Sequence, residues 1–457
     1  MIKEIHNNLI SKKIGAVELA EKYLIQAKGL NKKYNSFISF TEELAIETAK
    51  SIDEKIKKGE NIGYLAGIPV SIKDNILVKG YKATAGSKIL KNYTASYDAD
   101  VVSYLKQEQA LIIGKTNMDE FAMGASGEYS AFGRTKNPID INLVTGGSSS
   151  GSAASVAIEQ AIISLGSDTG GSVRQPASFC SVVGFKPTYG MVSRSGLISM
   201  ASSLDQIGII SNSVEDIALT LEVISQDTPY DSTKKRGHFH FANITSEKAV
   251  NHLKNVKIGV PKNFLKKGIE NEVLSRFNNS LQKLEKKGAE IINIDLSILK
   301  YVISCYYIIM SAEASSNLAR YAGILYGEKR EYFGNEVKKR IVLGSYVLSS
   351  GYYDKYYKKA KSVKNQILQS LNSVFENVDL IAMPTTPNRP FKPGERSKDP
   401  IAMYLEDILT APANIAGMPA ISLPISSDGI GIQLMAPQWE DEKLLINAIG
   451  VEQIINN

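Results

Sequence analysis

Short runs of Val, Ile, Leu, Ala and Gly recur from residue 67 onward, and no other feature constrains the fold of this chain as much. They read GIPVSI (67–72), ALIIGK (110–115), AIISLGS (161–167), DQIGII (205–210), KIGVP (257–261), EIINI (290–294), DLIAMP (379–384), AISLP (420–424) and GIQLM (431–435). Near-continuous apolar runs of this length suit strands covered on both faces. Helix-compatible stretches alternate with them. The pattern predicts an α/β fold: a large, twisted, mixed and largely parallel sheet with helices on both faces. Residues 9–60 read as helices, with Leu19, Tyr23, Leu24 and Ala27 in one apolar stripe and Leu44, Ala45 and Ala49 in another. The segment 226–256 is polar and reads as a loop excursion. Residues 311–370 read as helical, and 388–400, rich in Pro and charge, as a surface loop. The 457 residues are expected as one domain: N-terminal helices over 1–60, a core over 61–225, and the rest of the sheet with substrate-site helices over 226–457.

The net charge of +6 comes from Lys interspersed with Glu, which describes a solvated surface rather than a nucleic-acid stripe. Cys180 and Cys305 sit in apolar settings and predict reduced thiols rather than a disulfide framework. The N-terminal residues lack the apolar stretch of a secretory signal, and no run approaches a membrane span, so a cytoplasmic protein is expected.

Four clusters of Gly, Ser and Lys carry the chemistry. In order they are GIPVSIKDN with Lys73, TGGSSSGSAAS with Ser148, GSDTGGSVRQPA with Ser172, and GFKPTYGMVS from Gly184. A Ser nucleophile needs a base, yet the only histidines are His6, His238, His240 and His252, all outside these clusters. A Lys can serve when burial holds it neutral. Taken singly, each signal has a bland alternative. Ser172 in a G-G-S turn fits a helix N-cap as well as a nucleophile. The loop around Ser148 could be a flexible linker, and Lys73 could reach from a strand end to water. A phosphate loop is excluded at Gly114–Thr116, because Gln109 stands where its first Gly is required.

Taken together, the clusters resemble the amidase signature family. The spacing agrees, with 75 residues from Lys73 to Ser148 and 24 from Ser148 to Ser172. The resemblance implies that Ser172 is the nucleophile, that Ser148 follows a cis peptide and relays a proton, and that Lys73 is the base. It implies oxyanion donors at the backbone of Thr169, Gly170, Gly171 and Ser172. Within the family, SAEASSNLARYAG (311–323), EVKKRIVLGSYVLSSGYYDKYYKKA (336–360) and YLEDILTAPANIAGMPAISLP (404–424) look like the A subunits of bacterial glutamyl-tRNA(Gln) amidotransferases. These hydrolyse glutamine and pass ammonia to a partner subunit. That resemblance implies glutamine as substrate, partner subunits B and C, and contact with Glu-tRNA(Gln) through the complex. It implies no cofactor in this chain, with ATP and Mg2+ in the partner. It places the substrate carboxylate on Arg340, its ammonium on Asp407, and a hydroxyl contact on Tyr306, with Tyr307 as the alternate. Read from the residues alone, Arg340 could be solvated and Asp407 an N-cap. Ser150, Tyr129 and Met191 depart from the family pattern, and the segment after Tyr326 is short. A stand-alone amidase acting on a small carboxamide is the alternative function.

Overall fold

The computed structural model describes residues 1–235, 237, 239–241, 246–321, 323, 328–396 and 399–456. Its centre is one sheet of eleven strands. These are β1 (Phe37–Phe40), β2 (Pro69–Lys73), β3 (Leu111–Thr116), β4 (Ile163–Asp168), β5 (Val183–Lys186), β6 (Gln206–Ser211), β7 (Lys257–Val260), β8 (Glu290–Asn293), β9 (Leu380–Pro384), β10 (Ala420–Pro424) and β11 (Gly431–Met435). Their order across the sheet is β1-β3-β2-β4-β6-β5-β10-β11-β9-β7-β8. Every apolar run singled out above is a strand. All residues of β2 to β6, of β9 and of β11 are buried. Successive side chains of a strand point to opposite faces, so such burial means that both faces are covered.

The α/β class and the mixed sheet agree with the sequence reading, but the balance of strand directions differs. Six neighbouring pairs are antiparallel and four are parallel. Burial on both faces produces a continuous apolar run whichever way the neighbouring strand points, so the runs carried no information on direction. Two strands lie outside the predicted runs. β1 interrupts the region read as helical, between helices at Ala16–Tyr34 and Glu42–Lys58, and β5 falls in the fourth cluster. Within 226–256 a short helix, Ser246–His252, is present. The remainder of that segment is described only in part; of the segment after Tyr326, residue 327 lies outside the described residues, and from 328 it runs through a 3-10 turn at Arg330–Tyr332 into the helix Asn335–Leu348.

The geometry that matters for function follows from β2 and β4. They are parallel neighbours, with Ile72 opposite Leu165, so their C-terminal ends share one edge of the sheet. Lys73 closes β2 and Asp168 closes β4. β6 runs against β4 with Gln206 opposite Asp168, which brings Asp205 to the same edge. Crevices at the carboxyl ends of strands are where open α/β sheets place ligand sites.

Candidate active site

Lys73 is completely buried. Its Nζ donates to Ser148 Oγ at 2.7 Å, Ser149 Oγ at 2.8 Å and Ser167 Oγ at 2.9 Å. The Ser167 carbonyl lies 3.2 Å away. Burial penalises the ammonium and pushes the Lys73 pKa down to about 7, against the pull of the Asp119, Asp168 and Asp205 carboxylates. The strand-end Lys reaching to water is thereby excluded. The histidines described lie elsewhere: His6 packs on Tyr64, His240 sits beside Glu222, and His252 ends the helix Ser246–His252.

Ser148 is also fully buried, at the start of a loop that feeds the helix Ser150–Ala157, and the Gly147–Ser148 peptide is cis. Ser172 lies four residues beyond β4, just before the helix Arg174–Phe179, and is 7 % exposed. The two serine segments are tied by the Ser149 N–H, which donates to the Ser172 carbonyl at 3.1 Å. Ser172 Oγ has no hydrogen-bond partner among the described residues, so the first step of the expected relay is a formed contact and the second is not. Catalytic hydrogen bonds often tighten only when substrate is bound.

The turn that carries Ser172 is built from within. Asp168 accepts the N–H of Gly171 at 2.9 Å and of Val173 at 3.1 Å. Burial would raise the Asp168 carboxyl, but the Arg174 guanidinium and Asn414 overcome it and hold it down at about 2. Arg174, itself wholly buried, also reaches the Thr410 carbonyl, Gln433 and Asn414. Gly171 has φ of 142°, and a Cβ there would strike Thr410 Oγ1. Because the Gly171 N–H is engaged by Asp168, the donors without a partner among the described residues are those of Thr169, Gly170 and Ser172.

The expected substrate residues converge on a pair of tyrosines. Tyr306 and Tyr307 are consecutive on the helix Val302–Asn317, buried, with ring centroids 4.9 Å apart. The Tyr306 ring lies over Gly170, where a Cβ would come within 2.5 Å of Tyr306 Cζ. Asp407 accepts the Tyr307 hydroxyl at 2.7 Å. Burial pushes the Asp407 carboxyl up to about 7, opposed by Tyr307 and Arg340. Arg340 is 4 % exposed, so it is not a solvated surface cation. Its guanidinium lies 4.5 Å from the Tyr307 ring centre and 4.7 Å from that of Tyr404, and it pairs with Glu336 at 2.6 Å. Asp407 ends a short 3-10 turn, Leu405–Asp407, and is not a cap. Tyr307, held as the alternate, is therefore the residue in contact with both charged groups, whereas Tyr306 faces the turn that carries Ser172.

Several contributors were not legible in the sequence. Ser149 and Ser167 hold Lys73, Arg174 holds Asp168, and Asp119 presses on the Ser148 loop. The Asp119 N–H donates to the Ser148 carbonyl at 3.2 Å, and its carboxylate accepts the N–H groups of Gly127 and Tyr129. Asp168 and Arg174 lie inside the third cluster, which was the one available signal.

A family model described as Amidase matches residues 18–445. One of the glutamyl-tRNA(Gln) amidotransferase A subunits of Clostridium acetobutylicum is 48 % identical, over 99 % of this chain and 98 % of that protein. The corresponding protein of Thermoanaerobacter pseudethanolicus, of the same name, is 48 % identical, over 99 % and 96 %. The crystal structure of the Thermotoga maritima glutamyl-tRNA(Gln) amidotransferase A subunit superposes with a TM-score of 0.82 at 41 % identity, covering 96 % of this chain and 91 % of that one. A crystal structure named amidase superposes with a TM-score of 0.85 at 28 % identity, covering 99 % of both chains. With a family match across nearly its whole length and the Lys73–Ser148 contact at the edge of the sheet, the chain belongs to the amidase family.

Proposed function

We propose that this chain is the glutamine-hydrolysing subunit of a tRNA-dependent amidotransferase. Neutral Lys73 takes the Ser148 proton while Ser148 takes that of Ser172. Ser172 Oγ then attacks the side-chain carboxamide carbon. The N–H groups of Thr169, Gly170 and Ser172 receive the developing oxyanion. The proton returns through Ser148 to the leaving nitrogen, ammonia departs, and a γ-glutamyl ester remains on Ser172. Water, deprotonated by the same relay, releases glutamate. Arg340 and Asp407 hold the substrate α-carboxylate and α-ammonium. Ammonia passes to partner subunits B and C, where ATP and Mg2+ activate Glu-tRNA(Gln) for conversion to Gln-tRNA(Gln).

The observation that carries this reading is the fully buried Lys73 with a pKa near 7, bonded to Ser148 at 2.7 Å. Identity of 48 % to proteins named as amidotransferase A subunits supports the choice within the family. The test combines the purified chain with candidate partner subunits, Glu-tRNA(Gln), glutamine and ATP. Weak glutaminase activity alone, stimulated by the partners and coupled to tRNA amidation, is expected. Rapid turnover of simple amides with no such coupling would assign a stand-alone amidase instead.

A further inference from the structure

Ser148 is bracketed by two bonds to the segment that carries Ser172. On one side the N–H of Ser149 meets the Ser172 carbonyl at 3.1 Å. On the other the N–H of Gly147 donates to Gln175 Oε1 at 2.8 Å. The Gln175 side chain is wholly buried, and its Nε2 donates to the Ala125 carbonyl at 2.6 Å. A backbone N–H requires an acceptor and a backbone carbonyl requires a donor, so these two partners fix which end of the amide faces which segment. An ionised carboxylate can only accept and an ammonium can only donate, so neither satisfies both. The loop also lies directly on the helix Arg174–Phe179. A Cβ at Gly146 would come within 2.9 Å of Gln175 Oε1 and 2.8 Å of Pro176 Cα. One short segment thus carries both Ser172 and the group that grips the chain just ahead of Ser148.

We infer that Gln175 is a positioning residue, tying Gly147 to Ala125 so that the Ser148 hydroxyl stays between Lys73 and Ser172. It acts through the backbone on either side of the relay and touches none of the reacting atoms. The inference rests on the roles given above to Ser148 and Ser172.

The test uses the full chain and phenylmethanesulfonyl fluoride, which needs no glutamine. Ser172 Oγ displaces fluoride from sulfur, its proton leaves through Ser148, and the added sulfonyl group is located by mass spectrometry. Wild type, Gln175→Met and the isosteric Gln175→Glu are compared for labelling rate, for the fraction finally labelled, and for glutamine kcat and KM. Both variants should label to the wild-type extent but about 10- to 100-fold more slowly, the size of loss a small misplacement of a reacting group produces. Gln175→Glu should fall at least as far as Gln175→Met, because it sets an acceptor against the Ala125 carbonyl. The loss should appear in kcat, with KM within about twofold of wild type, since Arg340 and Asp407 are untouched. Wild-type labelling rates in both variants would overturn the inference. So would a loss confined to KM or to the labelled fraction, which would mark a merely structural residue. A wild-type chain that takes no label at Ser172 would instead remove the nucleophile reading, and this inference with it.

Discussion

The two halves of the candidate site are organised in opposite ways. Around Lys73 and Ser148, the groups expected to react already touch: a buried amine meets three hydroxyls, and nearby backbone is pinned by Asp119, Asp168 and Gln175. Around Arg340 and Asp407, the charged groups are occupied by neighbours, Glu336 and Tyr307. In the proposed reaction glutamine would compete for these charges, whereas Lys73 needs only the Ser172 hydroxyl brought into reach of Ser148. The first region is therefore expected to govern kcat and the second KM.

The largest effect should come from Ser172→Ala. It removes the proposed nucleophile and should abolish covalent labelling by a glutamine analogue that acylates the enzyme, with turnover down by about 10,000-fold or more. Labelling that persists in this variant would break the comparison outright. Lys73→Arg keeps a cation but cannot surrender its proton. A loss on the order of 1,000-fold in kcat is expected, and robust turnover would take Lys73 out of the base role. With the Lys73 pKa lowered to about 7, the base is neutral above that pH and protonated below it. The rate should fall close to tenfold per pH unit on the acid side. Asp407, raised to about 7, gains its proton over the same range, so KM should climb as kcat declines. A profile flat through neutrality would separate neither region.

Arg340→Lys sharpens the other side. It loses bidentate geometry and stacking on Tyr307 and Tyr404, and should raise the glutamine KM by about tenfold with kcat near wild type. A change confined to kcat would place Arg340 with the chemistry instead. The smallest effect is expected for Tyr307→Phe. Removing its hydroxyl takes about 1 kcal/mol of hydrogen bonding from a buried carboxylate. It also favours protonated Asp407, so KM should rise several-fold, and an unchanged KM would separate Tyr307 from substrate binding.

Legibility in the sequence followed locality. Lys73, Ser148 and Ser172 each stand in a contiguous motif whose glycines and strand-like flanks could be read directly, and the structure places all three at one sheet edge. β1 was hidden because four residues between two helices show no period. β5 was hidden because Gly184 and Lys186 interrupt its apolar character, although Lys186 is buried. Strand direction was invisible for the reason already given: covered faces look alike from either direction. Asp119 gave no signal and Gln175 only its place in the third cluster, because their partners are main-chain groups of segments distant in sequence.

By itself the sequence determined which chemical groups exist, in what order, and that a sheet covered on both faces would carry them. Only the tertiary structure decided that β2 and β4 lie side by side and parallel, so that the Lys73 amine meets the Ser148 hydroxyl at one edge, with the Ser172 turn tied beside them through its carbonyl. It alone also decided that the amine is desolvated. A pKa near 7 for Lys73 is a property of the surroundings that exclude water, and no residue carries its surroundings in its own place along the chain.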